Sequence, residues 1–396
     1  MSATKLNRWE ILPSSGSHFD VLDGLRGAAI LLVVCYHSLY TNPEHGLVAR
    51  LIGYVFTAGW MGVPIFFVLS GFLISYPFFK GRSQDPQSWC QRGYGWRRAG
   101  KIIPPFYLSL LLSIVPCFWL GDWTNLDYAW KWATGLANFI QTPTTFSPFY
   151  WSLIIESQFY IVLPLLFWLL RGRDVNGAAI GIFAILFFIP LLARQLTWPG
   201  DMTVWLDENT GAMCGFLFAR FPCQLDYFAY GVLFAGIYTG LGAVREQSRS
   251  LAVFGYAGVA LMAVTLVFWG YWAGAFAIRA HPARWSVEVA HLLPALAAML
   301  MLFFIFDRGS LGSRVLSLGW LRFTGIVSYE WFLFHGPFVQ WFHSHIGATH
   351  GNVAAYLART VLPLVLSFGF SVLVYRYFSL PILNRVREWL ANTNGK

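Results

Sequence analysis

Charged side chains are scarce in this chain, at 11% of 396 residues, where an ordinary soluble domain carries about a quarter. With 57% hydrophobic residues and a mean hydropathy of +0.55, that scarcity excludes a soluble globular protein. Cysteine is sparse too. The five present (Cys35, Cys90, Cys117, Cys214, Cys223) form no CxxC and no Cys/His spacing suited to zinc, so no redox centre or metal site is expected. Cys214 and Cys223 alone fall where both can face outward and pair. There is no long-period repeat and no low-complexity tract. Also missing are the alternating segments of about ten residues that a membrane β-barrel needs; runs such as Leu292 to Phe306 are continuously apolar and helix-length instead.

What remains is an all-α, polytopic transmembrane helical bundle in a single domain, 1–396, with no appended soluble module expected. Windows of about twenty residues give about ten spans: 19–40, 59–79, 102–121, 149–171, 176–195, 221–241, 251–273, 288–307, 323–344 and 353–378. An even number puts both termini on one side. If that side is cytoplasmic, the inner segments hold eighteen of the 27 Lys and Arg and the outer segments six. So strong a bias predicts N-in and C-in, and it accounts for the net charge of +9 without nucleic acid. The first apolar run is interrupted by charge and followed by no small-x-small site, so it reads as a retained span and not a cleaved signal.

That first run carries the most informative pair, Arg26 and His37. At about 100° per residue, eleven steps return nearly to the same helix face, and a rise of about 1.5 Å per residue separates the two groups by roughly 16 Å. Placing Arg or Asp at a helix centre in lipid costs roughly 2.5–3.5 kcal/mol on insertion scales. The segment also holds Asp20 and Asp23, so a protein interior or wet cavity must receive these groups. The 80–101 loop is basic and suits an anionic ligand, whereas the outer connections 122–148 and 196–220, rich in Trp, Thr, Asn and acidic residues, suit a hydroxyl-rich one.

Four stretches, FDVLDGLRGAAILLVVCYHS, GVPIFFVLSGFLIS, FYWSLIIESQFYIVLPLL and LRFTGIVSYEWFLFHGPF, with a weaker fifth, RRAGKIIPPFY, run in order over nearly the whole chain. In them the sequence resembles acyltransferase family three, integral-membrane proteins that O-acylate sugars, polysaccharides, lipids and small molecules. The chain departs from the family pattern at Lys101, where a second Arg is usual, and at Ser379, where Glu is frequent. The C-terminal extracytoplasmic domain of some members is not expected here, which makes acceptors that depend on such a domain less expected.

Acyl transfer from a thioester needs a base, oxyanion stabilisation and a hold on donor phosphates. His37 is the natural base, and Glu156, at a similar depth in an inward-running span, suits the orienting carboxylate. Buried packing for His37 and an arginine partner for Glu156 are the plainer readings. Asp23, at i−3 from Arg26, is placed to pair with it. Arg26 either holds the donor or forms a structural ion pair. Arg97, Arg98 and Lys101 either bind acyl-CoA phosphates or serve orientation alone. Ser328, Tyr329 and His335 are candidates to line the acceptor cavity, with core hydrogen bonding as the alternative for His335. Ser70 reads as a helix-packing serine. Trp151, with Trp119, Trp123, Trp130 and Trp132, suits either sugar stacking or an interfacial aromatic belt. His343, His345 and His350 do not converge on one helix face, so no metal is expected there.

The sequence therefore predicts a multi-pass protein of the plasma (inner) membrane, an O-acyltransferase and foremost an acetyltransferase. Acyl-CoA, and acetyl-CoA above all, would be its co-substrate, and a saccharide or lipid-linked hydroxyl its acceptor; membrane lipids are the only other expected partner. A transporter using Arg26, Asp23, His37 and Glu156 as a proton relay is the competing class, although no paired half-chain pattern accompanies it.

Overall fold

The computed structural model describes residues 20–38, 56, 58–91, 93–120, 129–136, 150–197, 221–241, 249–279, 284–346 and 353–393. Among them helices are joined by turns, with no strand. Six helices are long and apolar enough to cross a membrane. Five of them fall on α1 (Asp20–Ser38), α2 (Gly62–Gln84), α3 (Tyr94–Leu120), α4 (Tyr150–Leu169) and α5 (Val175–Thr197). The sixth comprises most of α12 (Val353–Val374), a π-helical turn (Tyr375–Ser379) and α13 (Leu380–Thr393). The other four expected spans fall on further helices. These are α6 (Leu225–Gly240), α7 (Ala252–Arg279), α8 (Arg284–Met301) with its 3₁₀ extension Leu302–Phe306, and α11 (Ser328–His345), which carries Glu330 and three histidines. Short α9 (Leu311–Leu316), capped by the Ser310 hydroxyl accepting from Ser313 N–H, and α10 (Gly319–Ile326) precede α11. Prolines lie inside α2, α4, α5, α8, α11 and α12, a use tolerated where neighbouring helices re-satisfy the freed backbone groups.

Three boundaries differ from the sequence expectation. The third helix starts at Tyr94 and not near 102, so Arg97, Arg98 and Lys101 are helical and not in a loop; Gly93, at φ 71°, makes the turn that lets it begin. The ninth expected span is broken at Val327 into α10 and α11. The last runs on to Thr393, beyond the expected end at 378.

The exterior is apolar. Ile161 (70% exposed), Leu165 and Leu169 on α4, Phe188, Leu192 and Leu196 (78%) on α5, and Val365 and Leu373 on α12 project outward. Water would penalise such a surface and hydrocarbon would not.

Inside, α1 is the hub: it packs against α2, α9, α10, α11 and α12. Backbones touch where it meets α10, because a Cβ on Gly27 would strike the Leu321 carbonyl and one on Gly325 the Asp23 carbonyl. Gly71 of α2 and Gly231 of α6 permit a similar approach, each facing the other helix's backbone. Such small-residue seams are how helices associate when lipid supplies no hydrophobic drive. Two apolar clusters result, and α1 feeds both. Its N-terminal half (Val21, Leu22, Leu25, Ala29) joins α2, α4, α6 and α8, and its C-terminal half (Ile30, Val33, Val34) joins α3, α4 and α11.

Two buried arginines tie helices together. Arg82, 1% exposed, donates to the Phe167 and Leu170 carbonyls at 2.7 Å and to Ser88, closing the end of α4. Arg194 pairs with Asp226 at 2.9 Å and donates to the Cys223 carbonyl at 2.6 Å, tying α5 to α6. On the C-terminal side, Val386 and Leu390 of α13 lie over Gly100 and Gly93, and Trp389 meets Trp96 edge-on with centroids 5.4 Å apart.

Candidate active site

Where α1, α2, α4 and α11 converge, a partly open cavity with an empty volume of about 410 Å³ is lined by Arg26, Ser70, Ser152, Glu156, Ser328 and Tyr329 among apolar side chains. The polar walls come from four helices. Arg26 faces inward because α1 is enclosed by other helices, and its buried Nε has no hydrogen-bond partner among the described residues. Glu156 accepts from the Ser70 hydroxyl, and from the Tyr160 hydroxyl at 2.6 Å. Ser70 therefore does more than pack helices, the role expected of it.

The structure does not pair Glu156 with His37. The imidazole of His37 instead meets His335 of α11, with His335 Nε2 and His37 Nδ1 3.1 Å apart and ring centroids 5.1 Å apart. Glu156 lies at the level of Arg26, with which it lines the cavity, about three turns along α1 from His37, and on its own helix it faces α2. His335, fully buried, lies outside the cavity lining; its Nδ1 sits 2.8 Å from the Phe332 carbonyl and 3.1 Å from that of Trp331. Phe332 separates the two parts of the site, its ring lining the cavity on one side and lying 5.9 Å from the His335 ring on the other.

On the opposite side of the cavity charges gather. Lys101 of α3 lies within electrostatic reach of Arg26, Arg98, Glu156 and Glu330. Arg98 sits over the Tyr160 ring at 5.8 Å, and Tyr160's carbonyl accepts from Tyr94 at 3.0 Å. Asp23 lies within reach of Arg26, Lys101 and Arg322, but the direct ion pair here is Arg322 to Asp20 at 2.7 Å. Arg97 points away and is exposed, so the structure does not bring it to the cluster.

Glu330, 3% exposed, is a member that sequence reasoning missed. It stood in the quoted stretch VSYEWFLFH, and a lone carboxylate in an apolar run was the available signal. The Ser379 hydroxyl lies beside it. Where the resemblance implies Glu at 379, the carboxylate present here is thus Glu330's, from another helix. Tyr160, one turn beyond Glu156, was also missed.

The remaining expectations divide. Ser328 lines the cavity, and Tyr329 lines it with its ring while its hydroxyl donates to the Ile102 carbonyl at 2.9 Å, fastening α11 to α3. Trp151, half-buried, packs edge-on to Phe67 with centroids 6.4 Å apart. Trp132 is 4% exposed against Tyr150, which removes it from sugar stacking, whereas Trp130 is exposed. The Trp119 side chain, Trp123, Cys214 and His350 lie outside the described residues, as do residues 198–220.

The model of the acyltransferase domain matches residues 19–376. Among curated proteins the chain is similar to an O-acetyltransferase OatA of Staphylococcus aureus, 23% identical over 91% of this chain and 56% of the relative. A peptidoglycan O-acetyltransferase OatA of Listeria monocytogenes is 22% identical over 93% and 56%, and a putative peptidoglycan O-acetyltransferase YrhL of Bacillus subtilis is 29% identical over 41% and 26%. The chain spans about half the length of the first two relatives. No solved structure matches.

Proposed function

From the premise that the chain belongs to the acyltransferase family three, we propose that it is a membrane O-acetyltransferase that moves an acetyl group from cytoplasmic acetyl-CoA to a hydroxyl of a saccharide or lipid-linked acceptor. The observation that carries this reading is the order of parts along the cavity: cations on one side, a polar pocket in the middle, and an imidazole pair on the other. The charge bias of the segments supports ten spans with both termini in the cytoplasm, which puts the cation side toward the donor. The name of the Listeria relative, a peptidoglycan O-acetyltransferase, supports a glycan as acceptor, and the apolar exterior supports a place in a membrane, which we take to be the plasma membrane.

In this mechanism Lys101, Arg98 and Arg26 hold the anionic donor, while Glu156, Glu330 and Asp23 offset their charge when the site is empty. The thioester reaches through the pocket past Ser70 and Ser328 toward the level of His37. His37 takes the proton of the acceptor hydroxyl as the oxygen bonds to the acyl carbon. The C–S bond then breaks with its electron pair on sulfur, and the imidazolium returns the proton to give the free thiol. The test is incubation of the purified protein in lipid nanodiscs with radiolabelled acetyl-CoA and a panel of glycans and lipids. Label should move to a hydroxyl acceptor, and His37→Ala should lower the rate at least about a thousandfold, within the range for losing a positioned base together with its transition-state contacts. No transfer to any acceptor, with acetyl-CoA neither bound nor consumed, would remove the reading.

A further inference from the structure

His335 is buried with its Nδ1 against two backbone carbonyls, and carbonyl oxygen can only accept. Nδ1 therefore carries a hydrogen. A neutral imidazole has one such hydrogen, so the Nε2 that faces His37 at 3.1 Å bears a lone pair. His37 Nδ1 must then be the donor across that contact, and the His37 lone pair is left on Nε2. The Val33 carbonyl, one turn back on α1, is a further acceptor for the His37 ring and, with one N–H on that ring, can only share the Nδ1 hydrogen.

We infer that His335 is a positioning residue that dictates the tautomer of His37 from the backbone of α11: the proton is held on His37 Nδ1, so that Nε2 is the nitrogen able to take a proton from the acceptor. The inference rests on the proposed role of His37 as base, and it adds the group that does for His37 what a carboxylate does in a Ser-His-Asp triad. The consequence is chemical as well as geometric. A neutral imidazole acceptor fixes ring and tautomer without bringing an anion into this part of the bundle, where an unpaired charge would be costly. When His37 becomes imidazolium during transfer, its Nδ1–H stays donated to His335 Nε2, so neither ring has to turn within the catalytic cycle.

Two replacements separate this role from packing. His335→Gln keeps an acceptor, the amide oxygen, in reach of His37 Nδ1, whereas His335→Leu keeps apolar volume and removes the acceptor. The Leu variant should lose at least about tenfold in kcat with the KM of donor and acceptor changed less than twofold, and the Gln variant should recover most of that loss. In ¹⁵N-histidine spectra of the full chain in lipid, with the His37 signals assigned by their disappearance in His37→Ala, the wild type should show Nδ1 protonated and Nε2 bare. Gln should keep this pattern, and Leu should give a mixture of tautomers. A wild-type spectrum with the proton on Nε2 would overturn the inference, as would equal losses in Gln and Leu with the tautomer unchanged in both. The spectra stand whether or not His37→Ala is active, so failure of the base reading and failure of the tautomer relay are separate outcomes. If the Leu variant does not fold, His335→Phe, which also lacks the acceptor, takes its place, since the Val33 carbonyl also favours a proton on Nδ1.

Discussion

At the scale of single residues, the cavity is a meeting of groups that lipid would reject. Lys101 and Arg26 are tolerable there because Glu156, Glu330 and Asp23 surround them. A charge-assisted contact to an anionic donor is worth about 1.5–3 kcal/mol, or roughly ten- to a hundredfold in affinity. Lys101→Ala should therefore raise the KM for acetyl-CoA by about that factor and leave the acceptor KM near its wild-type value, as read from initial rates with each substrate varied in turn. Arg97→Ala, at an exposed position turned away from the cluster, should change donor KM less than about twofold, which distinguishes a built site from general positive charge. Arg26 and His37 were legible in the sequence because a charge inside an apolar run must be accommodated somewhere. The partner of His37 was not. His335 lies 298 residues along the chain, and which of the available polar groups meets which is decided by helix packing that no local pattern encodes. Counting residues into each span suggested Glu156, but α4 sets it at the level of Arg26 and turns it to Ser70.

At the scale of elements, the long apolar helices were readable because their length and composition match a bilayer. The inner extension of α3 was not, since Arg97, Arg98 and Lys101 look like loop residues until α13 is seen to cover Gly93 and Gly100. The break at Val327 was also hidden, because both sides of it are helix-forming and its cause is the close seating of α10 on α1 at Gly325. Buried ion pairs knit these elements, and among the described residues Arg194–Asp226 is the most enclosed, with side chains 1% and 0% exposed. Breaking such a pair from one side costs about 3–5 kcal/mol, whereas replacing both members with apolar residues is often neutral. Asp226→Leu should accordingly lower the unfolding temperature in detergent markedly, and Arg194→Met with Asp226→Leu should recover most of the loss, as followed by tryptophan fluorescence on heating. A double variant as unstable as the single would mean that the pair is irreplaceable for the docking of α5 on α6.

At the scale of the molecule, the reaction scheme depends on which side of the membrane each mouth of the site faces. In a cysteine-free background, Ser88→Cys should react with an impermeant maleimide only after the inner face is opened, and Asn209→Cys should react in intact cells. Labelling of both from one side would overturn the ten-span arrangement and the separation of donor from acceptor built on it. The π-helical turn at Tyr375–Ser379 has a further consequence for the assembly. A π turn holds one residue more than an α turn of the same rise, so it works as a rotary offset of about 100° between the two halves of the final helix. That single residue aims Val386, Trp389 and Leu390 at the first turns of α3. Deleting one residue there would leave an uninterrupted α-helix of good sequence and normal length, yet dial its C-terminal end away from α3 and leave the helix that presents Arg98 and Lys101 without its brace.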